Sequence, residues 1–248
     1  MRKSYRELTE EIKTDGERLK LIAALGSSDD LAYHYALISE DWAAGGTLML
    51  ENSFDRHGEA GIVFLLERLR AFGTASKTNT SAAVGTGAYT DTAYLAAKIL
   101  SQLRHRDFYA ARAKELAALL TARWEISDIA LRRKQIIALG WIGSEAEVDV
   151  LIGTMQGDTD ALCRAWAAAA LMQLSFHAVD AAFLRERTKT AFAEAIQKEG
   201  DLNAAGIMIE AAQTLFGKKW ISAAAAEAAE PESIEKARKS ALRFLGKA

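Results

Sequence analysis

Apolar residues recur at three- and four-residue spacing in one segment after another, the period of an amphipathic helix, and no segment alternates as a half-buried strand would. Ile62, Leu65, Leu66 and Leu69 carry that period through a helix expected over 58–72. Polar and glycine punctuation sets the other boundaries. A helix over 4–25 should stop at Gly26, and Ser28 and Asp29 are placed to cap the next, over 31–42, which Gly45-Gly46 ends. A third is expected over 47–56. The polar, glycine-containing stretch 73–87 reads as the longest loop. Beyond it the rhythm is regular, with helices expected at 90–104, 107–123, 128–140, 145–156, 160–175, 179–198, 201–216, 219–229 and 232–245. The fold class is all-α, and its short connections imply antiparallel neighbours.

Self-similarity decides how those helices are arranged. Arg132 and Arg164 are 32 residues apart, as are Leu139 and Leu171, and Asp128 and Asp160. Each copy opens a helix with an Asp able to cap it, places Arg one turn in, and ends on Ala-Leu. Residues 91–103, 201–217 and 233–246 read as further helices of the same kind at looser intervals. One helix pair cannot bury both of its apolar faces, so repeated pairs must stack into a continuous core. Ala138, Ala168 and Ala170 are small where backbones approach, and Leu139 and Leu171 fill the layer.

These residues, with Gly140, Ile142, Gly143, Leu151 and Asp158, resemble the HEAT repeat in the short form named for phycobilisome lyases. The resemblance is clearest over 128–174 and implies an α-solenoid of antiparallel helix pairs. Two parts are expected: a divergent helical segment, 1–87, continuous with the array, and the array itself, 88–248. In HEAT arrays the early Arg bonds an Asp at the start of a neighbouring inner helix. The resemblance therefore implies a structural ladder in which Arg132 and Arg164 reach Asp128 or Asp160.

Composition narrows the chemistry. Half the residues are hydrophobic and Pro231 is the only proline, a balance suited to helices. The net charge of −2 neither demands nor excludes nucleic acid. A lone Cys163 cannot close an internal disulfide, the N-terminus lacks an apolar signal core, and no apolar run approaches the roughly 20 residues a bilayer requires. A cytoplasmic protein away from membranes is expected. His34, His57, His105 and His177 have no metal-ligand spacing, so no metal and no cofactor are expected. His105-Arg106-Asp107 lacks every other kinase element, and Gly85-Thr86-Gly87 lacks the third glycine of a dinucleotide loop. Arg164 beside Cys163 could lower a thiol pKa, but a small core residue fits the packed helix better. Glu10-Glu11 and Asp29-Asp30 fall on exposed or capping positions. No reaction is supported.

Nine basic residues (Lys98, Arg104, Arg106, Arg112, Lys114, Arg123, Arg132, Arg133, Lys134) against four acids leave +5 over 98–134, with Trp124 and Trp141 nearby. Such a band can track a nucleic-acid backbone, as in HEAT-like alkylpurine glycosylases, although a helix end and the ladder account for several members. The leading expectation is a scaffold that binds another protein through a concave surface, using Arg133, Lys134, Gln135, Trp166, Gln173 and Asn203. A nucleic-acid or repair module on the basic band is the alternative. A lyase or lyase subunit, suggested by the repeat type alone, is the third.

Overall fold

The computed structural model describes residues 2–75 and 82–246, and among these it contains thirteen α-helices and no strand. The N-terminal helices are α1 (Tyr5–Glu11), α2 (Asp15–Gly26), α3 (Leu31–Ala43) and α4 (Gly58–Ala75). A long helix, α5 (Ala82–Gln102), opens the regular part, followed by α6 (Tyr109–Thr121), α7 (Ile129–Ile142), α8 (Val148–Gly157) and α9 (Ala161–Leu174). The chain ends with α10 (Ala181–Lys198), α11 (Leu202–Leu215), α12 (Ala223–Glu227) and α13 (Pro231–Leu245).

Local chemistry explains where the sequence expectations shift. The single helix expected over 4–25 is two. Ser4 with Glu7 and Thr14 with Glu17 each form a complete capping box, so the chain starts a helix twice. The helix expected over 47–56 is a 3-10 helix, Leu50–His57, entered through Met49 in the left-handed region at φ 55°. That turn is pinned from α3. Asp41 is buried, and its carboxylate accepts the N–H groups of Leu48 and Met49 and the hydroxyl of Tyr5. Both ends of the loop expected over 73–87 are helical, α4 running to Ala75 and α5 beginning at Ala82; residues 76–81 of that expectation lie outside the described residues. The helix expected over 145–156 starts as a 3-10 turn, Glu145–Glu147, under a Ser144–Glu147 capping box. The one expected over 219–229 contracts to α12.

Two layers follow from the packing. Helices α5, α7, α9 and α11 lie side by side in chain order, with α13 against α11. The intervening helices form the other layer: α6 contacts α4, α5 and α7; α8 packs on α9 and α10; α10 reaches α11 and α13. The core runs without a break from Leu8 to Leu245. Ala138, Ala168, Ala170, Leu139 and Leu171 are all buried in it, at the positions where the repeat requires small residues and filling leucines.

Helices α7 and α9 approach closely at Gly140. A Cβ there would lie 2.9 Å from both the Cα and the Cβ of Ala170, so backbone would have to move. Gly140→Val is therefore expected to destabilise the chain by about 1–3 kcal/mol through overpacking, despite valine's better helix propensity. Urea unfolding measures it, and an unchanged midpoint would show that the two helices do not meet there.

Candidate functional site

Asp128, Asp160 and Asp201 each accept a backbone N–H of the helix they precede, from Leu131, Cys163 and Ala204 respectively. All three serve as N-caps, and the repeated arginines reach other acids, which corrects the expected ladder. Arg132 does not pair with Asp128 or Asp160. It donates to Asp158 at 2.9 Å and to the Ile126 carbonyl at 2.8 Å. Arg164 repeats the arrangement one helix on. It donates to both oxygens of Glu199 at 2.8 Å and to the Asp158 carbonyl at 2.8 Å. Each acid stands two residues before a capping Asp and also accepts that Asp's own N–H. Arg238 of α13 extends the row by donating to the Glu199 carbonyl. The ladder thus runs Arg132, Asp158, Arg164, Glu199, Arg238 along one edge of the array.

Asp160 has a second partner. Arg133, nominated as a binding residue, grips it with two hydrogen bonds of 2.9 and 3.0 Å. This pairing, against the cost of burial and helped by the Cys163 N–H, lowers the Asp160 pKa to about 2. Burial pushes the Cys163 thiol up to about 11, so its neighbour Arg164 does not activate it.

Gln135 was expected on the exposed face, and the structure buries it. Its amide donates to the carbonyls of Leu120 and Arg123, at 2.7 and 2.9 Å, fastening the loop after α6 to α7. Four other nominees do lie at the surface of the α5–α7–α9–α11 layer. Trp166 is exposed, Lys134 and Gln173 are half-exposed, and Asn203 is exposed on α11. The structure brings to them residues that the sequence reading did not nominate. Tyr94 of α5 packs on Trp141 of α7 with centroids 5.1 Å apart, and Trp42 of α3 packs on Tyr94 at 6.3 Å. Trp141, Trp166, Ile137, Ala169 and Gln173 share a shallow depression between α7 and α9. Phe176, just past the end of α9, is 62% exposed. An apolar, largely aromatic strip therefore crosses the layer from α3 to α9. The signal was present in Tyr94, one turn after Asp91 and one before Lys98, which puts it on the same face as that pair.

The basic band is mostly consumed within the fold. Lys98 pairs with Glu51, Arg112 with Glu59 and Glu115, and Lys134 with Asp91. Arg104 donates to the Trp141 carbonyl, and Arg123 lies over the Tyr89 ring. With Arg132 in the ladder and Arg133 on Asp160, Arg106 and Lys114 are the members that stay exposed without an ion pair among the described residues. A cleft of about 840 Å³ at the ladder edge is lined by Arg132, Asp158, Trp124 and Thr154. Its polar groups are largely satisfied by one another, Trp124 donating to Thr154 and Arg132 to Asp158.

Two histidines meet away from this face. His34 donates through Nε2 to the Leu50 carbonyl, so its Nδ1 accepts from His57 at 2.9 Å. Burial lowers the pKa of both, and they serve as a neutral hydrogen-bonded pair that closes the 3-10 turn. Among the described residues no cluster of three or more His, Cys, Asp or Glu is placed to hold a metal ion. No described helix is long and apolar enough to cross a membrane.

Helix pairs stacked in chain order, with one arginine–acid rung repeated between neighbours, define an α-solenoid. Residues 83–172 match the family of HEAT repeats, so this stretch of the chain is a HEAT-repeat array. HEAT repeats generally mediate protein interactions. The search found no matching curated protein and no matching solved structure.

Proposed function

We propose that this protein is a non-catalytic adaptor that binds another protein across the open face of the α5–α7–α9–α11 layer. The observation that carries the reading is the strip Tyr94, Trp141, Trp166, with Trp166 exposed and Tyr94 and Trp141 half-buried beside it, on helices whose opposite faces form the core. Exposed tryptophans on a rigid layer are the residues from which interface hot spots are built. The charges around them, Arg133 with Asp160 and Lys134 with Asp91, already neutralise one another. Such a face favours a partner chosen by shape and apolar contact. In the same reading residues 1–87 cap the start of the array, supported by the packing of α4 on α5 and α6. A cytoplasmic setting fits a single unpaired cysteine. The nucleic-acid alternative loses support because seven of its nine cations hold internal contacts.

Capture of partners on the immobilised protein tests the reading. A protein retained at high salt should bind Trp166→Ala at least tenfold more weakly, about 1.4 kcal/mol, with Trp141→Ala showing the same direction. A partner that binds these variants as tightly as the parent would move the interface to another face. Duplex DNA retained at low ionic strength in a salt-dependent manner would replace the reading with the nucleic-acid one.

A further inference from the structure

We propose that Asp91, Trp42 and Tyr94 form a lysine-recognition site, which the chain's own Lys134 fills in the free protein and a lysine of the partner protein fills in the complex. The proposal rests on the interaction face above and names what that face recognises. Trp42 comes from the end of α3, and Tyr94 and Asp91 are one turn apart on α5. The two rings stand at 69° to each other, so they form two walls of a corner. The Lys134 ammonium sits in that corner, 5.7 Å from the Trp42 centroid, 6.0 Å from the Tyr94 centroid and 2.6 Å from a carboxylate oxygen of Asp91. Two π faces and a carboxylate converging on one nitrogen are the chemistry that recognises an organic ammonium.

Three features mark the corner as exchangeable. First, both ring distances lie at the outer end of the roughly 6 Å reach of a cation–π contact, so Lys134 fills the corner loosely. Second, the Lys134 and Asp91 side chains keep 41% and 36% of their surface in water, so an ion pair this exposed contributes little to stability and can open. Third, Tyr94 stacks on Trp141, which makes the corner continuous with the aromatic strip. An incoming lysine would take over the contacts Lys134 gives up, and Lys134 would regain water. The exchange is close to balanced at the corner. The net driving force comes from the rest of the partner segment lying on Trp141 and Trp166. The carboxylate makes the site anionic once Lys134 leaves, which selects a cationic side chain over an acidic or neutral one.

Titration with n-butylammonium, a lysine side-chain mimic, followed by tryptophan fluorescence, tests this. Lys134→Ala should bind the probe saturably and about two- to fivefold more tightly than the parent chain, because the tethered lysine that competes for the corner is held by a weak, exposed ion pair. Adding Asp91→Asn to that variant should reduce the response to that of sodium at equal ionic strength. Lys134→Gln, which keeps the side-chain stem, carries the same test should Lys134→Ala fail to fold. Equal responses from the variants and the parent, or from n-butylammonium and sodium, would overturn the site. Equal binding of n-butylguanidinium would overturn its assignment to lysine. The adaptor reading stands or falls separately, on whether Trp166→Ala releases the captured partner.

Discussion

Replacing Arg164 with alanine should cost about 3–5 kcal/mol of folding stability, the penalty for leaving a buried charge without its partner. Glu199 keeps about 1% of its side-chain surface in water, and Arg164 holds both of its oxygens at 2.8 Å. Backbone N–H groups alone, of Asp201 at 3.0 Å and of Gly200, would remain to compensate the carboxylate. The same truncation also frees the Asp158 carbonyl that Arg164 binds between α8 and α9. Arg187 supplies the control. It pairs with Asp149 at 2.7 Å, but both side chains are more than half exposed, and Arg187→Ala should cost about 0–1 kcal/mol.

The pH dependence follows from the same contacts. Burial would raise the Glu199 pKa, but the Arg164 guanidinium and the Asp201 N–H outweigh it and the net shift is downward. A depressed folded-state pKa gives stability that is present above the unfolded carboxyl range and lost as pH falls through the folded value. In Arg164→Ala the burial effect loses its main opponent and is countered by backbone N–H groups alone, so Glu199 takes up a proton more readily than in the parent. The gap between parent and variant should be widest near neutrality and narrow below about pH 4, where Glu199 is protonated in the variant and increasingly so in the parent. Urea melts at pH 7 and pH 4 measure it. A gap under about 1 kcal/mol at pH 7 would mean that Glu199 is not desolvated.

The distinction between these two arginines was only half legible in the sequence. The interval of 32 residues located Arg132 and Arg164, and the two make equivalent contacts within the fold. It assigned them to the wrong acids: Asp160 caps its own helix and is gripped on both oxygens by Arg133, not by Arg132 or Arg164. The usable acid is the one two residues earlier, Asp158 before Asp160 and Glu199 before Asp201. That pattern repeats at 41 residues because α10, at 18 residues, is longer than α8, at 10. Gln135 was misplaced for a different reason. It shares a helix face with Ala138, Leu139 and Ile142, all buried, and its polarity is needed by two carbonyls at the end of α6. A polar residue on an apolar face can mark a satisfied contact as well as an exposed site, and one sequence does not separate the two. The Asp91–Trp42–Tyr94 corner lay further out of reach. Trp42 belongs to the segment that matches no repeat, and only the packing of α3 beside α5 brings it to Lys134.

Leu139→Ala should produce a loss of similar size, about 2–5 kcal/mol, by a purely apolar route. Leu139 is fully buried on α7, which packs on α5 on one side and on α9 on the other. Removing its isopropyl group opens a void that neither neighbour can close. Gly140, the next residue, already holds α7 against the Ala170 backbone, so the helices have no free distance through which to collapse. The cost should therefore fall toward the upper part of the range. Leu171, its counterpart on α9, is equally buried between α7 and α11 and should respond alike. The two sites sit on adjoining helices, so the double variant should depart from the sum of the singles by at least about 0.5 kcal/mol. Leu19, 57% exposed on α2, is the contrast and should change stability by no more than about 0.5 kcal/mol when truncated. If Leu139→Ala matched Leu19→Ala in urea unfolding, α7 would not be the central member of a stacked array. A deficit shared by Leu139 and Leu171 but absent at Leu19 is the energetic signature of a repeat whose layers are held by the same leucine in successive helices.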